Sequence, residues 1–208
     1  MVRIDGWEHG AVGTRRPAAD LPGAGREAFR DGCLVVLGEA EGPLAAGLVQ
    51  RYRAAAGGAA AGRAVAACWR PVFAVGHPPG VRPLQFALAA LNAQAAHDLA
   101  LAVVDVCRAR GCGPEEVAEE FDEVGDLLLT LRDRLVEELL PGPELLVVGD
   151  PLLHLLASWC PDRAHEAAWS AARVLWRLRD VPALAEEFAR RTDTGAGLVG
   201  RFLLTPCR

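Results

Sequence analysis

Apolar residues along most of the chain recur every three or four positions, which is the spacing of one face of an α-helix. The clearest case is the stripe formed by Phe121, Leu128 and Leu135, with further leucine and valine positions between them. No stretch alternates apolar and polar residues over the length of a strand. The pattern therefore predicts an all-α fold, in which a single domain of about seven to nine helices spans residues 25–208. Residues 1–24, which glycine and proline interrupt, are predicted to form an irregular arm.

Proline and glycine mark where the predicted helices begin and end. Pro83 and Pro114 suit the first turn of a helix, where a backbone N–H is not needed, and Gly111 suits a helix end. Segment 83–110 is almost entirely apolar, which predicts a central helix that is buried on most sides. Helices are predicted over residues 25–40, 43–56, 64–75, 83–110, 114–140, 161–180 and 182–192. The apolar segment 144–160 is predicted to be divided at Asp150-Pro151 into a short piece and a helix that carries His154.

The few polar residues of segment 83–110 are not scattered around the predicted helix. At 100° per residue, four of them fall within an arc of about 100°. These are Gln94, His97, Asp98 and Asp105. An imidazole and two carboxylates are costly to bury unless they are paired, hydrogen-bonded or bound to metal. The helix is therefore predicted to turn a polar seam toward a pocket, with Asn92 on the opposite face. Trp69 and Trp169 are candidate walls of that pocket, or else ordinary core residues.

His97 and Asp98 are the leading candidates for catalysis, because they lie side by side in the middle of the apolar helix. One hypothesis is that they work as metal ligands or as an acid–base pair. The structural alternative is a buried histidine that is satisfied by a neighbouring carboxylate or carbonyl group. Both readings predict that the two side chains are buried.

The segment PLQFALAALNAQAAHDLALAVVD resembles the signature of an uncharacterised family of mostly actinobacterial helical proteins. Three shorter segments agree with that family: WRPVF from residue 69, FDEV from residue 121 and RAHEAAW from residue 163. The resemblance covers about residues 25–180. The family includes a non-heme diiron monooxygenase of the platensimycin pathway, and Gln94 stands where the family has a histidine.

The resemblance implies a metal-centred tailoring enzyme of natural-product biosynthesis, with dinuclear iron as the cofactor. His97 and Asp98 would then bind the metal, and Asp122 and Glu166 are candidate ligands from neighbouring helices. Asp122 can instead belong to a solvated acidic face, and Glu166 can pair with Arg163. Because a glutamine replaces the family histidine, metal-free cyclisation or isomerisation in the same pocket is a second hypothesis. A non-catalytic ligand-binding protein is the third.

The composition of the chain limits the classes of molecule that it is expected to bind. The net charge is −5, and the chain has no lysine and no long basic run, which argues against a nucleic-acid partner. No uninterrupted apolar run reaches 18 residues, so no membrane partner is expected. The chain does not begin with a signal-peptide pattern, which predicts a cytoplasmic protein whose six cysteines are reduced. The family resemblance implies a small apolar natural-product intermediate as the partner. The glycine motifs of serine hydrolases, P-loop enzymes and dinucleotide-binding enzymes are missing, which disfavours those three classes.

Overall fold

The computed structural model describes residues 23–74, 78–140 and 159–206. Every regular element within these ranges is a helix, so the predicted all-α fold is confirmed. The predicted arm 1–24 and most of segment 144–160, with its predicted helix, lie outside the described residues. The α-helices are α1 (Ala24–Val36), α2 (Pro43–Ala60), α3 (Arg70–Phe73), α4 (Pro83–Ala93), α5 (Leu99–Arg110), α6 (Ala118–Leu139), α7 (Pro161–Arg177) and α8 (Pro182–Leu203).

The central helix, Pro83–Arg110, consists of α4, a short π-helical segment and α5. Its α4 half packs against α1, α6 and α8, and its α5 half packs against α2 and α7. The helix is long and apolar enough to cross a membrane, but 89% of its most apolar window is buried inside the protein. Such burial is typical of the core helix of a soluble domain, because a helix surrounded by other helices must be apolar on all sides.

One turn of the central helix departs from α-helical geometry. Residues Gln94–Asp98 form a π-helix, and the Leu99 N–H donates to the Gln94 carbonyl five residues earlier. A π-turn adds one residue to a helical turn and changes the direction in which the following side chains point. Such turns are frequent at functional sites, and this one contains His97 and Asp98.

The last helix is longer than its sequence pattern predicts. The polar and glycine-rich residues after 192 suggest a helix end there, but α8 continues without a break to Leu203. Gly197 and Gly200 lie in close contact with the segment around α3 and do not end the helix. A Cβ atom on Gly197 would lie 2.5 Å from the Ala67 carbonyl oxygen, so only glycine allows this approach. The predicted end at residue 192 is therefore wrong, and Asp193 lies inside a helix that touches the segment before α3.

Candidate functional site

All the buried polar side chains in the described part of the chain belong to the central helix. They are Gln85, Asn92, Gln94, His97 and Asp98. The π-turn sends the last three toward different neighbours, so they do not line one continuous seam. Each of these neighbours has to be considered separately.

Two of the amide side chains act as ties between helices. The Gln94 amide donates to the Leu48 carbonyl of α2 at 3.0 Å. Asn92 donates to the Ala196 carbonyl of α8 at 3.0 Å and accepts from the Trp159 indole N–H at 3.1 Å. Because their hydrogen bonds go to backbone and indole groups, both amides have a structural explanation.

Asp98 is held by Trp69. The indole Nε1–H donates to Asp98 Oδ2 at 2.9 Å, and both side chains are buried. The indole is fixed in turn by three aromatic neighbours, with ring centroids 6.1 Å from Phe29, 5.7 Å from Tyr52 and 5.6 Å from Phe73. Burial raises the pKa of Asp98 to about 7, although the Trp69 hydrogen bond acts in the opposite direction.

His97 faces α8, where it meets Thr192 and Asp193. Its Nδ1 lies 3.3 Å from the Thr192 hydroxyl oxygen, and that hydroxyl donates its hydrogen to the Ala189 carbonyl at 2.9 Å. The hydroxyl oxygen is therefore an acceptor for Nδ1–H, which leaves a lone pair on Nε2 of the neutral ring. Burial lowers the pKa of His97, although the charge of Asp193 opposes this effect.

The His97 lone pair points into a cluster of potential ligands. Nε2 lies 3.9 Å from Asp193 Oδ1 and has no hydrogen-bond donor among the described residues. Cys68 Sγ, the His97 ring nitrogen and an Asp193 carboxylate oxygen all lie within 4.8 Å of one another. We call these three residues the Cys–His–Asp cluster. A lone pair that faces a carboxylate inside a protein is unfavourable unless a proton, a water molecule or a metal cation lies between them.

Asp193 is oriented by the backbone in front of α3. Its Oδ2 accepts from the Ala67 N–H at 2.8 Å, and its Oδ1 accepts from the Cys68 N–H at 2.9 Å. Burial alone would raise the pKa of Asp193, but these hydrogen bonds outweigh it and the pKa is lowered. The Cys68 thiol also donates a hydrogen bond to this carboxylate, which adds to the lowering of the pKa. The carboxylate is thus charged and fixed by two backbone N–H groups and one thiol.

The Cys–His–Asp cluster fits one divalent ion of the zinc type. A tetrahedral zinc ion with bonds of about 2.0–2.3 Å keeps its ligand atoms about 3.3–3.8 Å apart, which small side-chain movements can reach here. Thiolate, imidazole and carboxylate are all zinc ligands, and three protein ligands leave the fourth position open. Dinuclear iron fits less well, because carboxylate-bridged centres take most of their ligands from four or more carboxylates. The described part of the chain offers only one carboxylate in this cluster.

A pocket of about 290 Å³ lies beside the cluster, between α2 and the segment that leads into α3. We call it the α2 pocket. Trp69 and Asp98 contribute to its wall together with Arg51 and Arg63, and the other lining residues are small or apolar. Since Asp98 follows His97 in the chain and Trp69 follows Cys68, the pocket and the cluster share two pieces of backbone.

The other predicted site residues lie elsewhere. Asp105 is exposed and forms an ion pair with Arg51. Asp122 is exposed at a separate cavity of about 210 Å³, and Glu166 is also exposed. Trp169 is partly buried and packs against Phe121, with ring centroids 4.7 Å apart. None of these four belongs to the Cys–His–Asp cluster.

Sequence reasoning missed Cys68 and Asp193. The sequence predicts six reduced thiols and does not distinguish Cys68 among them, although it directly precedes the WRPVF segment. The last predicted helix ends at residue 192, immediately before Asp193. The signal for Asp193 was the small-residue face that follows it, with Ala196, Gly197 and Gly200 three, four and seven residues later. That spacing predicts a helix that approaches another backbone closely.

The chain belongs to a family of unknown function (DUF5995), whose model matches residues 42–206. The matched region contains the whole Cys–His–Asp cluster and the α2 pocket. No curated protein matches the chain, and no solved structure does. The family description names no activity. The proposed function therefore rests on the geometry of the site.

Proposed function

We propose that this member of the DUF5995 family is a small-molecule enzyme that binds a single divalent metal ion through Cys68, His97 and Asp193. The observation that carries the proposal is the geometry of the cluster: His97 Nε2 lies 3.9 Å from Asp193 Oδ1, and the ligand atoms of Cys68, His97 and Asp193 all lie within 4.8 Å of one another. An ion of the zinc type satisfies the imidazole, the carboxylate and the thiol together.

The protein supplies a fixed set of ligands. Thr192 holds the His97 ring in the tautomer with a free Nε2, and the Ala67 and Cys68 N–H groups hold Asp193. A bound ion with an open position supplies Lewis-acid chemistry to a carbonyl, a phosphoryl group or water. Asp98, held by Trp69, lies in the wall of the α2 pocket and can form a hydrogen bond with a molecule there.

The biological role that we propose is the tailoring of a natural-product intermediate in the cytoplasm. The resemblance of the central helix to the family of the platensimycin-pathway monooxygenase supports this part of the proposal. An iron-dependent monooxygenase is the second candidate function, and the buried His97 in that signature favours it. Gln94 stands where the family has a histidine. In this chain its amide donates a hydrogen bond to the Leu48 carbonyl, so the residue has a structural role.

Metal content and cobalt substitution test the proposal. The protein, purified without chelator, should contain about one equivalent of zinc or a similar ion. After exchange with Co²⁺, a sulfur-to-cobalt charge-transfer band should appear, because a cysteine is a ligand. The changes Cys68→Ser, His97→Gln and Asp193→Asn should each weaken or abolish binding, and Cys68→Ser should also remove the band.

Cys33→Ser is the matched control, because Cys33 is equally buried and lies outside the cluster. The band should persist in that variant. Two equivalents of iron without a thiolate band would establish the second candidate instead. Stoichiometric Co²⁺ binding that survives the loss of Cys68, His97 and Asp193 would overturn both assignments of the site, and so would a protein that binds no metal.

A further inference from the structure

We infer that the α2 pocket recognises a short molecule with an oxyanion at one end and a hydroxyl group at the other. This inference rests on the proposed function, because it assigns the substrate class of the same site. The pocket volume of about 290 Å³ lies at the lower end of the range for small-molecule sites, so the ligand is small.

Small side chains keep the pocket open. The residues of α2 that face it include Ala54, Ala55 and Gly58, and the opposite wall includes Ala64 and Val65. Segment 54–65 has a low-complexity sequence rich in alanine and glycine. In the fold, its residues form the two apolar sides of the pocket. A short aliphatic body fits between such walls and gains free energy as it leaves water.

The mouth of the pocket is positively charged. Arg63 is exposed, and its guanidinium group makes no hydrogen bond or ion pair within the described residues. Arg51 lines the same pocket, is half-buried and forms an ion pair with Asp105 at its edge. An unpaired guanidinium group binds carboxylate or phosphate oxygens in a bidentate manner, which makes an oxyanion the matching ligand for Arg63.

The inner end of the pocket carries a carboxyl group, whereas the mouth carries guanidinium groups. Asp98 is buried there, with one carboxyl oxygen held by Trp69 at 2.9 Å. Its other oxygen is available to accept a hydrogen bond from a ligand hydroxyl group. Asp98 directly follows His97 in the chain, and Trp69 directly follows Cys68, so the inner end of the pocket is built on the same backbone as the proposed metal site.

The experiment uses NMR spectroscopy on the full chain with three six-carbon probes: hexanoate, hexyl phosphate and the neutral hexanamide. The Trp69 indole N–H resonance reports on the pocket, and comparison with Trp69→Phe identifies it among the five tryptophans. Titration with the charged probes should shift this resonance, while hexanamide should bind at least tenfold more weakly. A stronger effect of hexanoate would identify a carboxylate ligand, and a stronger effect of hexyl phosphate would identify a phosphate ligand.

Three variants complete the test. Arg63→Gln should weaken binding of the charged probe at least tenfold, and Ala54→Leu should block the cleft with the same result. The matched control Arg201→Gln, which removes an exposed arginine of α8 outside the pocket, should leave binding unchanged. Equal binding of hexanamide and hexanoate would overturn the inference, and so would full binding by Arg63→Gln. Each titration is run with and without Co²⁺, so a failed oxyanion site is distinguished from a failed metal site.

Discussion

The hydroxyl group of Thr192 decides where the proton of His97 lies. Its hydrogen is committed to the Ala189 carbonyl, so its oxygen receives Nδ1–H and leaves Nε2 free. Metal-binding histidines commonly depend on a partner of this kind at the second ring nitrogen. A threonine inside a helix, which the sequence pattern alone assigns no role, therefore prepares the neighbouring ligand.

Thr192→Val should weaken cobalt binding about 10–100-fold, because the ring loses the acceptor that fixes its tautomer. Valine keeps the branched shape, so packing changes little. Thr194→Val is the control, since the Thr194 hydroxyl also donates to a backbone carbonyl of α8 but is exposed. Competition between the protein and a chromophoric chelator measures the affinity. Equal affinities of the two variants would contradict the assigned role of Thr192.

The cysteines should differ in reactivity according to their burial. Burial raises the pKa of Cys33 to about 12 and that of Cys107 to about 11, so at pH 8 nearly all of each remains in the unreactive thiol form. Cys112 and Cys160 are partly exposed. In a Cys207→Ser background, a disulfide reagent at pH 8 should therefore label two thiols rapidly in the native protein. Labelling of all five remaining cysteines within the same time would contradict the burial of the core thiols.

At the scale of elements, the close approach of α8 to the segment before α3 assembles the site. Gly197 allows this contact, and Asp193 caps the Ala67 and Cys68 N–H groups one turn earlier on the same helix. The α8 backbone is also tied to the central helix by Asn92. The position of the proposed carboxylate ligand Asp193 thus depends on a glycine four residues away.

Two neighbouring glycines of α8 provide a direct test. Gly197→Ala should lower the free energy of unfolding by about 1–3 kcal/mol, because its Cβ collides with the Ala67 carbonyl. Gly195→Ala should raise it by about 0.5–1 kcal/mol, because nothing lies within 4 Å and alanine favours helix. Urea denaturation measures both values, and cobalt affinity should fall only in Gly197→Ala. Stabilisation by both changes would show that α8 does not approach this segment as closely as described.

The sequence was sufficient to predict the helices whose apolar stripe is regular, but not the turns where the site lies. Gln94, His97 and Asp98 fall on one face only if each residue advances the helix by 100°. The π-turn at Gln94–Asp98 has a different geometry, so this condition does not hold there. Polarity alone suggested that α8 ends before Asp193, although close packing continues the helix. The partners of His97 come from contacts far apart in sequence, and helical periodicity contains no information about such contacts.

At the scale of the whole molecule, the proposed ion connects three separate parts of the fold. Cys68 precedes α3, His97 lies in the central helix, and Asp193 belongs to α8. A ligand that binds only the folded state stabilises it by mass action. The ion therefore joins segments that otherwise meet through packing and single hydrogen bonds.

Removal of the ion should lower the melting temperature of the protein. Dialysis against a chelator, followed by calorimetry, should give a lower value, and one equivalent of zinc should restore it. In Asp193→Asn the chelator should have little further effect, because the site is already impaired. If the native protein and this variant lost the same number of degrees on chelation, the ion would be bound elsewhere.

The long separation of the ligands along the chain also sets the order in which the site can form during synthesis. Asp193 bonds to the Cys68 backbone across 125 residues. A ribosome that has produced both Cys68 and His97 has made a chain with a thiol and an imidazole but no third ligand. A domain generally folds as a unit. The proposed site can therefore be completed only after translation has reached the last helix, which would make metal loading a late event.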